Sequence, residues 1–138
     1  MGRRLVIVVL TLAAGGLLAA VAAADTKHGI TPISPAAGDE VAKGEKVTFR
    51  LRARGKGQVW VRVCKSATKS RDGVICDRLA VGRATRHSGG IYTYTPRFHD
   101  FPEFWLNTPG SYHWQAYRVA CVRADCRAEG PIVRFRVG

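Results

Sequence analysis

The sequence has few acidic residues, one methionine and no C-x₂-C pair of the kind that binds zinc. It contains 10 Asp and Glu against 22 Lys and Arg in 138 residues. Its single methionine is Met1, so a blue-copper site with a methionine ligand is excluded from the folded part. No glycine-rich motif of the kind that holds nucleotide phosphates occurs in the chain. These absences count against the common nucleotide-dependent and metal-dependent enzymes.

Groups with catalytic chemistry are equally sparse. The nearest approach to an acid–base or metal cluster is His99-Asp100 with Glu103, beside which the sequence places no further ligand and no nucleophile. Ser111 and His113 lie two residues apart on one strand, which is too local an arrangement for a nucleophile–base pair. We therefore expect no catalytic residues, no metal site and no cofactor.

Long hydrophobic runs are missing from the chain except at its beginning. Arg3 and Arg4 precede an uncharged stretch over residues 5–24, which ends in three alanines before Asp25. This order of positive, apolar and small residues is typical of a secretory signal peptide. We expect residues 1–24 to be a signal helix that is removed on export, and retention as a membrane anchor is the alternative. In both cases the rest of the chain would be secreted or lie in the cell envelope, outside the cytoplasm.

All four cysteines follow this segment. Their spacings, C-x₁₁-C and C-x₄-C, differ from the C-x₂-C pairs of zinc sites. An even number of cysteines in an oxidising compartment indicates two disulfides instead. Three connectivities are possible, and we favour the two local ones, each at the end of a β-hairpin. The predicted pairs are Cys64 with Cys76 and Cys121 with Cys126.

The remaining residues alternate as β-strands do and show no helical periodicity. A polar lead over residues 25–30 is expected to be mobile. Beyond it, segments such as Val47, Phe49 and Leu51 alternate with polar residues and are separated by glycine and proline turns. Seven segments of this kind predict an all-β fold, an antiparallel seven-stranded β-sandwich over residues 31–138.

Several segments of this part resemble a known family. Ser34-Pro35-Ala36-Ala37-Gly38 and Val47-Thr48-Phe49 are similar to the first turn and second strand of bacterial fibronectin type III-like domains. Residues 106–116, with Pro-Gly-Ser-Tyr and a tryptophan, are similar to the approach to their sixth strand, and residues 131–135 to their last strand. Leu51 stands where many of these domains have tryptophan. The resemblance implies a fibronectin type III-like or immunoglobulin-like sandwich used for binding or as a spacer, without catalysis.

A second family provides the alternative. Periplasmic copper-binding immunoglobulin-like sandwiches begin with a similar Ser-Pro-x-x-Gly turn. They carry a copper-binding histidine at the mature N-terminus and an Asp-Gly-His motif before the last strand. Here His28 is the fourth residue after the predicted cleavage site, and the corresponding loop reads Asp125-Cys126-Arg127. Because ligands are missing, a copper carrier or an enzyme on the same sandwich is the second hypothesis.

One face of the predicted sandwich collects cationic and aromatic residues. In this fold the third, sixth and seventh strands are neighbours, and the residues between their inward apolar positions point outward. The planar guanidinium groups of arginine donate paired hydrogen bonds to phosphate or carboxylate, and flat aromatic rings can pack against sugars. An ordinary solvent-exposed face with cross-strand pairs is the other interpretation. The candidate binding face consists of Trp60, Arg62, His113, Gln115, Tyr117, Arg134 and Arg136.

The net positive charge of the chain indicates the kind of partner to expect. Without Arg3 and Arg4 the chain keeps 20 Lys and Arg against 10 Asp and Glu, a net charge of +10. Such an excess suits an anionic partner. We expect a binding or adhesion module whose partner is an anionic envelope polymer, a polysaccharide or another envelope protein. We expect no nucleic-acid partner, and membrane contact only through an uncleaved signal segment.

Overall fold

The computed structural model describes residues 25–70, 73–97, 106–121 and 126–138, without the side chains of 66–70 and 73–79. The predicted signal peptide and the His99, Asp100 and Glu103 cluster lie outside the described residues. Within the described ranges, no helix has the length and apolar character needed to cross a bilayer.

Strands make up most of the described chain. The described residues contain nine strands, of which β2 and β6 have two residues each, so the predicted number of seven is not confirmed. A short 3₁₀ helix, Ser88–Gly90, precedes β7. The strands are β1 (Ile30–Ser34), β2 (Glu40–Val41), β3 (Phe49–Ala53), β4 (Gln58–Ser70), β5 (Gly73–Arg83), β6 (Thr85–Arg86), β7 (Ile91–Tyr94), β8 (Gly110–Val119) and β9 (Arg127–Val137).

These strands form two sheets. One has the order β1-β3-β7-β6, and the other has the order β2-β9-β8-β4-β5. Neighbouring strands are antiparallel except β2, which runs parallel to β9 and places Glu40 opposite Arg136. The chain passes from the five-stranded to the four-stranded sheet after β5, where the Ala84 N–H donates to the Val59 carbonyl at 2.8 Å. The result is an all-β, sandwich-like fold, as predicted.

The inward residues of both sheets share one apolar core. In β3, Phe49 and Leu51 are fully buried while Arg50 and Arg52 are exposed, which confirms the predicted alternation. Trp114 of β8 packs its ring 5.4 Å from that of Phe49 in the opposite sheet. Phe135 of β9 lies 6.0 Å from the same ring. The two sheets therefore meet through an aromatic cluster.

The disulfide predicted at the end of the last hairpin is present. Cys121 and Cys126 are bonded and join the end of β8 to the start of β9. Cys64 is buried in β4 and is also disulfide-bonded. The side chain of Cys76 lies outside the described part, so the 64–76 pairing stays a prediction. In the β4–β5 ladder the backbone of Cys76 lies opposite Ala67, and a register shift separates that pair from Cys64.

The lead before β1 makes specific contacts with the sandwich. Lys27 and Ile30 exchange backbone hydrogen bonds of 3.1 and 3.0 Å. His28 has a positive φ of 51°, and its Nδ1 lies 2.8 Å from the carbonyl oxygen of Glu129 in β9. The mobility of residues 25–30 remains a prediction. These contacts place His28 against the last strand.

Candidate binding face

All seven predicted face residues lie on the three neighbouring strands β4, β8 and β9. The ladders between these strands are antiparallel, and their register sets residues from different strands side by side. The residues thus share the outer side of the five-stranded sheet, as the sequence pattern predicts. The adjacent pairs are Trp60 with Tyr117, Arg62 with Gln115, and His113 with Arg134.

The centre of this face is a polar cluster bonded within itself. Arg62 donates from Nε to Oε1 of Gln115 at 3.0 Å, and its Nη2 contacts the same oxygen. The same Nη2 forms an ion pair with Oε1 of Glu129 at 2.8 Å. The Arg62 side chain is only 12% exposed. Its guanidinium therefore serves the fold, and little of it is accessible to a ligand.

A β-bulge explains why Gln115 takes part in that cluster. The β8–β9 register shifts between Gln115 and Tyr117, where Gly130 and Pro131 stand in β9. A Cβ at Gly130 would lie 2.7 Å from Cγ2 of Ile30, so the close approach of β1 requires glycine. The carbonyl of Gly130 accepts a hydrogen bond from Nε2 of Gln115 at 2.8 Å. Gln115 is thus 5% exposed and structural, although the sequence pattern predicts an accessible side chain.

Tyr117 is also largely enclosed. Its ring centroid lies 5.3 Å from Cζ of Arg62 and 4.6 Å from Cζ of Arg127. Both distances are within the range of cation–π attraction. The ring is buried, so the half-buried Trp60 is the more accessible aromatic surface of the pair.

The accessible cationic part of the face lies toward the end of β9. Arg134 and Arg136 are exposed, and Nη2 of Arg134 donates to Oγ of Ser111 at 3.0 Å. Together with the Ala37–Gly38 turn, these side chains line an open groove of about 650 Å³. The Gly38 N–H donates to the Arg134 carbonyl at 2.9 Å and holds the turn against β9. The groove is therefore built on strand backbone and is basic.

His113 lies between the central cluster and the groove. Its Nδ1 is buried and has no hydrogen-bond partner among the described residues. Burial lowers the pKa of His113, and the nearby guanidinium of Arg134 lowers this pKa further. The lowered pKa favours the neutral imidazole, so His113 adds no fixed positive charge to the face at neutral pH.

Two partners in this face were not assigned from the sequence. Glu129 neutralises Arg62, and Ser111 accepts a hydrogen bond from Arg134. The sequence signal for Ser111 was its strand position, two residues before His113. No sequence signal identified Glu129 as the partner of Arg62, because the two are 67 residues apart.

The described side chains contain no group of three or more His, Cys, Asp or Glu residues that could hold a metal ion. His28, which entered the copper hypothesis, instead lies within hydrogen-bond distance of the Glu129 carbonyl. Comparison with known proteins gave no match: no family model, no curated protein and no solved structure is significantly similar to this chain.

Proposed function

We propose that this protein is an exported, non-catalytic binding module that holds the carboxylates of an anionic polysaccharide on the outer face of its five-stranded sheet. The groove between Arg134, Arg136 and Ser111 carries the proposal. Two guanidinium groups and a hydroxyl meet in one concavity, and none of the described residues that line it is acidic. Guanidinium forks bind carboxylates through paired, charge-assisted hydrogen bonds.

Trp60 extends the proposed site toward the other end of the face. It pairs with Tyr117, whereas Arg134 pairs with His113, four residues earlier in β8. Four residues of strand span roughly 13 Å, which is more than one sugar ring covers. An extended oligosaccharide would therefore place a carboxylate in the groove and a later ring against Trp60.

Tyr112 supports the fibronectin type III-like or immunoglobulin-like type of the module. At the start of β8, its hydroxyl donates to the carbonyl of Thr108 at 2.6 Å. A tyrosine that bonds the backbone a few residues upstream at this point is the tyrosine corner of immunoglobulin-like sandwiches. Leu106, in the same segment of resemblance, is almost completely buried.

The Cys121–Cys126 disulfide supports export, since disulfides persist mainly in oxidising compartments. Seven of the described strands have four or more residues, which supports the proposed seven-stranded architecture. Binding that uses a preformed groove on a sheet requires no catalytic group.

Calorimetric titration with an oligosaccharide of uronic acids tests the proposal. Arg134→Gln/Arg136→Gln removes two positive charges from the groove, and Lys43→Gln/Lys46→Gln removes two from exposed positions between β2 and β3. We expect the groove variant to lose at least about tenfold in affinity and the control less than about threefold, the latter from net charge alone. Trp60→Ala should weaken binding of the oligosaccharide but not of a single uronic acid. Equal losses in the two double variants would show diffuse electrostatic attraction and no localised site.

A further inference from the structure

The outer face of the four-stranded sheet presents a regular row of arginines on and just beyond β3. Phe49 and Leu51 point into the core, so Arg50 and Arg52 point outward, and both are exposed. Arg54 follows at the same two-residue interval and is also exposed. Two residues of an extended strand advance about 7 Å, so the side chains of Arg50 and Arg52 start about that far apart on one face, and Arg54 follows just beyond the end of the strand. These three residues are called the arginine ladder below.

The positive charge of the arginine ladder is not neutralised by the sheet that carries it. The strands β1, β3, β6 and β7 contain no Asp or Glu. Among the described side chains, none of the three ladder guanidiniums forms an ion pair or a hydrogen bond. Like charges two residues apart on one strand face repel each other. An anion that bridges them would remove this repulsion.

The residues that pair with Arg50 and Arg52 on the two neighbouring strands are hydroxylic or aliphatic. Thr93 of β7 lies opposite Arg50, and Thr31 of β1 lies opposite Arg52. Both threonine hydroxyls are placed by side-chain hydrogen bonds of 2.7 Å, Thr31 to Thr26 and Thr93 to His87.

Aromatic rings are turned away from this face. Tyr92 and Tyr94 of β7 and Phe49 of β3 are buried in the core. Proteins that bind single-stranded nucleic acid stack bases on exposed aromatic rings, which the described strands of this sheet do not offer. The face therefore suits an anion whose linking groups are polar and lack rings.

We propose that the arginine ladder binds a linear polymer of phosphodiesters joined by short polyol spacers, with the polymer running along β3. Each guanidinium donates paired hydrogen bonds to one phosphodiester, since the spacing of its N–H groups matches that of phosphate oxygens. A spacer of about three carbons lets successive phosphates reach successive arginines at the strand repeat. Spacer hydroxyls would meet the threonines on either side. The site lies on the opposite sheet from the groove and does not depend on the carboxylate-binding function proposed above.

Fluorescence anisotropy with labelled glycerol phosphate oligomers of one, two, three and six repeats tests this proposal on the exported protein. We expect affinity to rise with each added repeat up to three and then to level off. Arg50→Gln/Arg52→Gln/Arg54→Gln should weaken binding of the six-repeat oligomer at least about tenfold. It should also reduce the slope of log affinity against log salt by about 2, because each phosphate contact on a single strand contributes about 0.7.

Two further variants distinguish binding at a localised site from general electrostatic attraction to a basic protein. Lys43→Gln/Lys46→Gln/Lys65→Gln removes the same charge from exposed positions elsewhere and should leave the salt slope nearly unchanged. Arg50→Lys/Arg52→Lys/Arg54→Lys keeps the charge but loses the paired N–H donors of the guanidinium groups. Its affinity should lie between those of the parent and the glutamine variant. Thermal denaturation of each variant confirms that these exposed substitutions leave the fold intact.

Three results would overturn the proposal. One is an equal loss of affinity in the arginine-ladder and lysine variants. Another is oligothymidylate of equal charge binding as tightly as the glycerol phosphate oligomer. The third is loss of phosphate-polymer binding in Arg134→Gln/Arg136→Gln, which would place the polymer in the groove. Saturation with the uronic acid oligosaccharide should not displace the phosphate polymer, so each of the two proposals can fail alone.

Discussion

On the outer face of the five-stranded sheet, Arg62 bonds to Gln115 and Glu129 and is 12% exposed. On the outer face of the four-stranded sheet, Arg50 and Arg52 are exposed, and no strand of that sheet has an acidic residue. Both sets of arginines arise from the same alternation of apolar and basic residues. The comparison shows that an outward position on a strand does not by itself make an arginine available to a ligand.

The neighbouring strands account for the difference. In the five-stranded sheet, β8 lies between β4 and β9. The bulge of β9 at Gly130 brings Glu129 and the Gly130 carbonyl to the centre of the face, within reach of Arg62. β3 lies between β1 and β7, which present threonine and isoleucine beside its arginines. The five-stranded sheet therefore uses Arg62 to satisfy buried polar groups, and the four-stranded sheet leaves Arg50 and Arg52 in solvent.

Trp114→Ala should have the largest effect, because it removes the ring that joins the two sheets. Trp114 is fully buried, packs against Phe49 and donates from Nε1 to the Pro35 carbonyl at 2.9 Å. Loss of such a side chain costs about 3–5 kcal/mol of unfolding free energy, measurable by urea denaturation. Trp114→Phe keeps much of the packing and should cost less. A Trp114→Ala variant with the parent's stability would show that the faces are held together elsewhere.

Arg62→Gln should have the next largest effect and compares the two faces directly. It leaves Glu129 without its cation and Gln115 without a donor, which should cost about 1–3 kcal/mol. Arg52→Gln on the other face should change the unfolding free energy by no more than about 0.5 kcal/mol. Urea denaturation of both single variants measures this contrast. Equal costs would contradict the distinction between a structural and a free arginine.

His113→Gln should have the smallest effect, confined to acidic solution. Because folding lowers the pKa of His113 from 6.5, the unfolded chain binds this proton more readily. Its stabilising contribution is present above that ordinary pKa and is lost as pH falls through the lower pKa of the folded state. The parent should therefore lose stability relative to His113→Gln as the pH falls below 6.5.

Nuclear magnetic resonance titration of His113 supplies the control for this prediction. Arg134→Gln should raise the pKa of His113 part of the way toward its ordinary value, because Arg134 is the second cause of the shift after burial. A stability difference that does not vary with pH would show that the His113 proton is not linked to folding.

Local pattern predicted much of this protein. The alternation in β3 placed Phe49 and Leu51 inside, and the short spacing of Cys121 and Cys126 predicted their disulfide. Membership of the outer face was also predictable, because it follows from strand order and from the period of two. The burial of Gln115 was not predictable, since it depends on a bulge in β9 and on Arg62 from β4.

The sequence by itself determined which residues of β3, β8 and β9 face the core, because side chains on a regular strand alternate between its two sides. It also determined an excess of positive charge with few acidic residues to offset it. Only the tertiary structure decided which arginines are neutralised, because that depends on which strands become neighbours and in what register. Glu129 and Arg62 are 67 residues apart in the chain and meet at 2.8 Å, whereas Arg50 and Arg52 meet no carboxylate in the described residues.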